Sequence, residues 1–216
     1  SCKDHLGGPD SDNDPATGEC TGGTRGGVVS KGVEVEAFLR PMQDVGVNVG
    51  ATYVDTHYRD DLVGAGGRPL TNTLFQLPGE RLSNSSQWTV TSALTYTPSI
   101  GNGLKGLFYL DGRYQSEFNT GSDLDIEKIQ PDYFVMNARV GIHEENDRWG
   151  VELWAQNLLN ENYMQVAFDA FIQGSCTARG AANNFCTPPN TGRSTQLYGA
   201  FLADPRTYGI TLRGRF

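Results

Sequence analysis

Apolar and polar residues alternate with a period of two along seven segments of the chain, a pattern that indicates β-strands and not helices. One face of every segment carries no charged side chain. In chain order, the uncharged face comprises Val33, Val35, Ala37, Leu39, Val47, Val49, Ala51, Tyr53, Trp88, Val90, Ser92, Leu94, Tyr96, Phe108, Leu110, Gly112, Tyr114, Phe134, Met136, Ala138, Val140, Ile142, Trp149, Val151, Leu153, Ala155, Tyr208, Ile210, Leu212, Gly214 and Phe216. The pattern predicts an all-β fold with seven antiparallel strands.

The opposite face collects the charges, among them Glu34, Glu36, Asp111, Arg139 and Arg213. A Lys or Arg that faces lipid at the membrane midplane costs about 2–4 kcal/mol, whereas one that faces a wet lumen costs little. Strict sorting of charge to one side therefore favours a transmembrane β-barrel. A soluble β-sandwich also alternates, so alternation alone leaves that alternative open.

Aromatic residues lie near the ends of the apolar faces, and small aliphatic residues fill the middles. The aromatic set is Trp88, Tyr96, Tyr53, Tyr114, Phe134, Trp149, Tyr208 and Phe216. Such rings favour the headgroup level, so membrane barrels have aromatic girdles at both rims. The alternative interpretation is a set of core aromatics at the strand ends of a sandwich.

The connections between the segments alternate in length. Short ones cover residues 41–44, 98–103 and 145–148, and long polar ones cover roughly 61–86, 117–131 and 164–204. Short periplasmic turns opposite long external loops are typical of outer-membrane barrels. Seven strands do not close as the usual even-stranded barrel, and a free sheet edge in lipid leaves backbone groups unpaired. We therefore expect residues 28–216 to be the C-terminal part of a larger barrel and residues 1–27 to be the remnant of another extracellular loop.

Composition excludes several other classes of protein. The net charge of −8 leaves no basic patch for phosphates, so no nucleic-acid partner is expected. The mean hydropathy of −0.43 is too polar for a bundle of membrane helices, and no segment approaches the roughly 20 apolar residues that a spanning helix needs. This polarity does not exclude a barrel, because alternating strands average to neutral.

Three stretches carry a resemblance to a known family. They are Val28–Glu36 (VVSKGVEVE), leading to Arg40 and Pro41; Asn157–Tyr163 (NLLNENY), similar to the family's Asn-Leu-Phe-Asp-x-x-Tyr; and Pro205–Phe216 (PRTYGITLRGRF), similar to its closing strand. Together they frame about residues 28–216. In this combination the chain resembles the TonB-dependent receptors of the Gram-negative outer membrane.

The resemblance implies a 22-stranded barrel with a plugged lumen, of which these strands would form the last third. It implies import of a scarce nutrient such as a ferric siderophore, driven by the TonB–ExbB–ExbD energy-coupling complex through an N-terminal part that this sequence does not show. Outer-membrane lipid and the barrel insertion machinery are the other expected partners. The insertion signal would consist of Tyr208, Ile210, Leu212 and Phe216.

Ligand recognition is expected in the long loops, because function collects on loops that a rigid scaffold holds. The candidates are aromatic or cationic residues suited to metal chelates: Tyr58, Arg59, Arg68, Phe75, Phe118, Phe168, Phe171 and Tyr198. An outer-membrane enzyme is the second alternative. It lacks support because the sequence contains no nucleophile elbow and no metal-binding pair of histidines, so we expect neither an enzyme nor a cofactor.

Two further motifs have simpler interpretations. Residues 101–106 match Gly-x-Gly-x-x-Gly but join two predicted strands, so they indicate a turn and not a dinucleotide site. Asp10, Asp12 and Asp14 resemble the start of a calcium loop, yet Pro15 and Thr21 stand where its Gly and Glu belong. A solvated acidic loop is the preferred interpretation, with calcium as the alternative.

Four cysteines form two close pairs, Cys2 with Cys20 and Cys176 with Cys186. Neither pair has zinc-finger spacing, and an outer-membrane protein matures in an oxidising compartment. Two local disulfides are therefore predicted, with free thiols as the alternative.

The predicted disulfides should leave no thiol reactive without reductant. We expect no mass increase when the denatured, unreduced protein is treated with an alkylating reagent, and four adducts after reduction. Each closed loop should stabilise by up to about 3 kcal/mol. Alkylation of all four cysteines in unreduced protein contradicts the pairing.

Overall fold

A computed structural model describes residues 27–62, 70, 76–170 and 198–215. Within them lie twelve strands and one short 3-10 helix, Ile126–Lys128. The strands are β1 (Val28–Met42), β2 (Val45–Tyr58), β3 (Trp88–Tyr96), β4 (Ser99–Gly101), β5 (Leu104–Gln115), β6 (Phe118–Asn119), β7 (Ile129–Gln130), β8 (Tyr133–Glu144), β9 (Trp149–Gln156), β10 (Met164–Asp169), β11 (Tyr198–Leu202) and β12 (Thr207–Gly214).

Seven long strands form one antiparallel meander in the order β1-β2-β3-β5-β8-β9-β12, and β4 pairs with β5 beside it. Each of the seven contains one of the alternating segments, so the predicted all-β, antiparallel architecture is confirmed. In the described part of the chain the sheet is open, with β1 and β12 at its edges.

The uncharged face of this sheet is exposed. Val35, Ile210 and Leu212 are 61%, 66% and 74% exposed, and no second sheet covers them in the described residues. The most deeply buried large side chains there are instead polar, namely Lys128, Glu152 and Thr120. A sandwich would bury its apolar faces against each other, so that alternative is wrong. None of the described helices is long and apolar enough to span a membrane.

Strand register aligns the aromatic residues at two levels. Tyr53 lies opposite Trp88, with ring centroids 4.9 Å apart, and at the other end of β3 Tyr96 lies opposite Phe108. At about 3.4 Å per residue, Trp88 and Tyr96 are roughly 27 Å apart along the strand. A strand tilt of about 40° reduces this to about 20 Å along the membrane normal, close to the height of a barrel's apolar band.

Short turns join the strands at one end of the sheet. Gly101, Asn102 and Gly103 all have positive φ, at 86°, 54° and 71°, and they connect β4 to β5. The Gly-x-Gly-x-x-Gly match is therefore a hairpin turn, as predicted. Strand β4 was not foreseen; it forms because the short connection folds back along β5, with the Gly106 amide donating to the Pro98 carbonyl at 2.8 Å.

The long connections lie at the opposite end, which we call the outer end. They contain two small antiparallel ladders that the sequence pattern did not predict. β6 pairs with β7 inside the second long connection, and β10 pairs with β11 inside the third. The alternation in these strands is too short to stand out from loop sequence.

The two faces of β3 should differ sharply in tolerance of charge. Ser92 lies mid-strand on the uncharged face and Thr91 beside it on the charged face, and both are exposed. We expect Ser92→Arg to lower the free energy of unfolding from bilayers by about 2–4 kcal/mol, because the guanidinium must enter hydrocarbon. Thr91→Arg is the matched control and should change it by less than about 0.5 kcal/mol. Equal effects in denaturant titrations would contradict the assignment of the faces.

Candidate functional site in the outer loops

A buried lysine, Lys128, contacts three aspartates within the outer loops. Lys128 is 1% exposed, and its ammonium lies 2.5 Å from Asp123 Oδ2 and 3.7 Å from Asp125 Oδ2. It also donates a hydrogen bond to Asp169 Oδ1. A buried charge is tolerated only when it is paired and hydrogen-bonded, and three carboxylates meet that requirement here.

The second long connection folds back on itself to place this lysine. The Asn119 side chain donates to the Asp125 carbonyl at 2.8 Å and accepts from the Gly121 amide at 2.8 Å. Thr120 Oγ1 donates to the Lys128 carbonyl at 2.7 Å. These local bonds satisfy backbone groups that a compact loop would otherwise bury unpaired.

Burial alone would lower the pKa of Lys128, since it disfavours the ammonium. The hydrogen bonds and charges of Asp123 and Asp169 outweigh that effect and raise the pKa above its usual value. A raised lysine pKa means that the stabilisation is complete at neutral pH and is lost only as pH rises through the folded-state pKa. The oxygens of Asp123, Asp125 and Asp169 lie within 4.8 Å of one another. The ammonium already supplies the positive charge that a metal ion would bring there.

Lys128 and its three aspartates, Asp123, Asp125 and Asp169, form a lysine–aspartate cluster that joins three long connections. Lys128 in the second connection reaches Asp169 on β10 in the third, and Gln76 Nε2 in the first donates to Asp125 Oδ1 at 3.1 Å. Close by, the rings of Tyr133 and Tyr163 stack at 4.0 Å. The three loops therefore have a common polar core.

A cleft of about 190 Å³ lies between the first two connections. Its walls include Arg81, Glu117, Phe118 and Ile126. Arg81 Nη1 donates to the Glu117 carbonyl at 3.3 Å, which ties the two sides together. The cleft combines one guanidinium and two carboxylates, those of Glu80 and Glu117, with apolar surface.

The predicted ligand residues fall into different environments. Arg59 is ion-paired with Asp61 at 2.8 Å, which raises the pKa of its guanidinium. The Phe118 ring is buried and lies 6.4 Å from that of Tyr133. The rings of the predicted residues Phe168 and Tyr198, on the β10–β11 ladder, are exposed. The Phe168 ring contacts that of Phe201, which is also exposed, with centroids 5.5 Å apart.

Tyr58 ends β2 and is half-buried. Several other predicted residues lie outside the described part of the chain: Arg68, Phe75, Phe171, Phe216, the four cysteines and the Asp10–Asp14 run. The disulfides and the calcium alternative accordingly stay predictions. Of the proposed insertion signal, Tyr208, Ile210 and Leu212 lie exposed on the uncharged face of β12.

The charged face of the sheet carries a second cluster, centred on Glu152 of β9. This carboxylate is 2% exposed and lies 3.2 Å from Arg139, 3.4 Å from His143 and 3.7 Å from Arg213. These partners come from β8 and β12, so the carboxylate connects three neighbouring strands on the side predicted to face the lumen. His143 is thus a partner of Glu152.

The NLLNENY stretch follows β9, and its hydrogen bonds hold it to the segment that leads into β12. Asn157 has φ of 48° and is buried; its amide nitrogen donates to the Glu161 and Asp204 carbonyls, at 2.8 and 3.1 Å. Its amide oxygen accepts from the Glu161 N–H at 2.8 Å. Asn tolerates the left-handed conformation and satisfies three backbone groups, which explains the residue type at this position.

Sequence reasoning missed the lysine–aspartate cluster and the burial of Glu152. Asp123, Asp125 and Lys128 are close in sequence, but they resemble any polar loop. The completing residue, Asp169, lies 41 positions from Lys128. The one local feature that could have indicated a buried lysine is the position of Lys128 among the apolar residues Leu124, Ile126 and Ile129.

These features define a class of protein: an antiparallel barrel wall with an outward apolar face, a charged inward face and structured outer loops. Residues 7–158 match the family described as TonB dependent receptor-like, beta-barrel. The match covers most of the chain, and the chain belongs to this family. No curated protein matches the sequence.

Two solved structures resemble the fold. The ferric yersiniabactin uptake receptor FyuA from Yersinia pestis aligns with a TM-score of 0.60 at 14% identity, over 85% of this chain and 23% of that chain. The siderophore receptor PiuA from Acinetobacter baumannii aligns with a TM-score of 0.56 at 16% identity, over 86% and 21%. This chain spans less than a quarter of either neighbour, and the likeness shows a common fold.

Removal of the buried ammonium should loosen the outer loops. We expect Lys128→Met to cost about 3–5 kcal/mol locally, because three carboxylates lose their cation. The Ala167 amide, which donates to the Thr120 carbonyl, should then exchange hydrogen faster. Lys105→Met is the control: Lys105 lies 4.0 Å from Glu145 and is half-exposed, so its pair contributes about 0–1 kcal/mol. Unchanged exchange at Ala167 in Lys128→Met would contradict the role of the cluster.

Proposed function

We propose that this chain forms part of an outer-membrane receptor of a Gram-negative bacterium that binds a scarce nutrient outside the cell and imports it. One observation carries the proposal: the sheet exposes its uncharged face, and its buried carboxylate, Glu152, lies on the opposite face with Arg139, His143 and Arg213. That distribution suits a wall between hydrocarbon and water. In this arrangement residues 28–216 are barrel wall with its outer loops, and residues 1–27 belong to another outer loop.

A ferric siderophore is the proposed ligand class. Support comes from the family and from FyuA and PiuA, which are described as a ferric yersiniabactin uptake receptor and a siderophore receptor. Loops with structure of their own provide the recognition surface, since the barrel positions them and lets side chains vary. The TonB–ExbB–ExbD complex is the proposed energy source. The insertion machinery is the proposed reader of Tyr208, Ile210, Leu212 and Phe216.

Within the loops, Phe168 and Tyr198 are the strongest ligand candidates. Both are exposed on the β10–β11 ladder, but on opposite faces, because the register pairs Phe168 with Gly199 and Tyr198 with Asp169. Each ring can stack on a chelate that approaches its own face. Arg59, whose guanidinium already pairs with Asp61, and Phe118, whose ring is buried, are less available. Tyr58, Arg68, Phe75 and Phe171 complete the proposed set.

The test is uptake by the complete receptor in cells under iron limitation. We expect growth on at least one ferric chelate from a panel, and loss of that growth when the proton-motive force is collapsed or TonB is deleted. If no chelate in the panel supported growth although the receptor was present in the outer membrane, the siderophore proposal would be contradicted. A receptor found only in soluble fractions would remove the outer-membrane proposal itself.

The Phe168→Ala/Tyr198→Ala double variant should weaken chelate binding about 5-fold or more, because it removes the exposed ring from whichever face of the ladder the chelate meets. Stacking on each ring contributes on the order of 1 kcal/mol. Leu159→Ala changes an equally exposed apolar residue outside the candidate set and should leave binding unchanged. The measurement is the Kd on intact cells with a radiolabelled ferric chelate. Wild-type affinity in the double variant would contradict the assigned recognition surface.

A further inference from the structure

The charged face of the sheet carries a group of cations near the short turns. Strand register places Lys105, His143 and Arg213 in one row across β5, β8, β9 and β12. The Arg215 amide donates to the Arg148 carbonyl at 2.8 Å, so these two arginines form the next row towards the turns. The five lysine and arginine residues of this region, which we call the basic patch, are Lys105, Arg139, Arg148, Arg213 and Arg215.

Positive charge exceeds negative charge in this region of the face. On these four strands, between the row of Arg139 and the short turns, the carboxylates on the same side are those of Glu145, Asp147 and Glu152. Glu144 alternates to the uncharged side. Five cations therefore lie with three carboxylates, although the whole chain has a net charge of −8. A local excess of fixed positive charge attracts anions.

Two glycines make room for the central carboxylate and its histidine partner. A Cβ at Gly141 would approach Glu152 Cγ to 2.9 Å, and a Cβ at Gly150 would approach His143 Nδ1 to 2.6 Å. The side chains of Glu152 and His143 therefore lie over the two glycines, close to the sheet. In that position the Glu152 side chain is 2% exposed, so its negative charge is withdrawn from the surface that an incoming molecule meets.

Arg139 and Arg213 share this one carboxylate. Arg139 Nη1 lies 3.2 Å from Glu152 Oε2, and Arg213 Nη2 lies 3.7 Å from Glu152 Oε1. A single carboxylate offsets only one of the two guanidinium charges, and the arginine side chains stay 45% and 62% exposed. Because a guanidinium group has five N–H donors, both arginines can also donate to an oxygen anion that approaches from the lumen.

We propose that the basic patch binds the imported ferric chelate on the inner part of its path, and that this chelate is anionic. The assignment rests on the proposed function, which places the charged face in the lumen and the short turns at its periplasmic end. Three catecholate dianions give a ferric chelate a net negative charge, whereas three hydroxamate monoanions neutralise the ferric ion. The patch therefore selects the negatively charged class, at a site separate from the outer loops.

The test compares chelates of different charge in iron-limited cells that carry the complete receptor. The anionic probes are a ferric tris-catecholate and a ferric carboxylate chelate, and the uncharged probe is a ferric tris-hydroxamate, all radiolabelled. Initial uptake rates are divided by the amount of receptor in the outer membrane. We expect at least one anionic probe to enter about 10-fold faster than the uncharged probe, the lower end of the range by which a charged cleft favours ions of opposite sign.

Arg148→Gln/Arg215→Gln should lower the maximal uptake rate of that anionic probe about 10-fold. The Kd at the cell surface should not change, because both residues lie at the end opposite the outer loops. Arg148→Lys/Arg215→Lys keeps the two charges and should retain most of the rate. Arg40→Gln is the matched control: Arg40 lies on the charged face near a short turn, but on β1 and outside the patch, and its replacement should change neither quantity.

The other outcomes separate this assignment from the proposed function. Uptake of the uncharged probe alone would overturn the anionic assignment and leave nutrient import intact. A wild-type rate in Arg148→Gln/Arg215→Gln would overturn it as well. An equal loss of rate in the glutamine and lysine double variants would also overturn it, because the positions would then need the arginine shape and not its charge. If no probe entered although the receptor was in the outer membrane, the siderophore proposal itself would fail.

Discussion

The energetic cost of placing charge and unpaired backbone in hydrocarbon organises this molecule. Antiparallel pairing across seven strands satisfies the backbone groups between neighbours, and alternation sends the charged side chains in the middle of the strands to one side. Lys31, Asp55 and Glu144 alternate to the other side only near strand ends. The result reverses the arrangement of a soluble domain. Apolar side chains such as Ile210 and Leu212 are on the outside, while Lys128 and Glu152 are among the most buried residues described.

Polar clusters perform the role that an apolar core has elsewhere. Glu152 connects β8, β9 and β12 through Arg139, His143 and Arg213, and Asn157 fixes the exit from β9. At the outer end Lys128 joins loops that are distant in sequence. Buried ion pairs are weak evidence of net stability, but loss of one partner is costly, so such clusters fix a single loop arrangement.

The sequence predicted the strands well and the loops poorly, for a physical reason. Period-two alternation is local, and a lipid-facing charge is so costly that the pattern persists in all seven long strands. The β10–β11 ladder pairs Asp169 with Tyr198, and Lys128 needs Asp169, so both depend on contacts between residues far apart along the chain. The candidate ligand residues were chosen by chemistry alone. That chemistry does not reveal that Phe118 is buried or that Arg59 pairs with Asp61.

The most direct test of the central claim is the environment of each residue along β3. Spin labels at successive positions from Trp88 to Tyr96 in bilayers should alternate between oxygen-accessible and water-accessible with a period of two. The oxygen-accessible set should be Trp88, Val90, Ser92, Leu94 and Tyr96. If these positions were instead protected from oxygen and packed within protein, the account of a membrane wall would be contradicted.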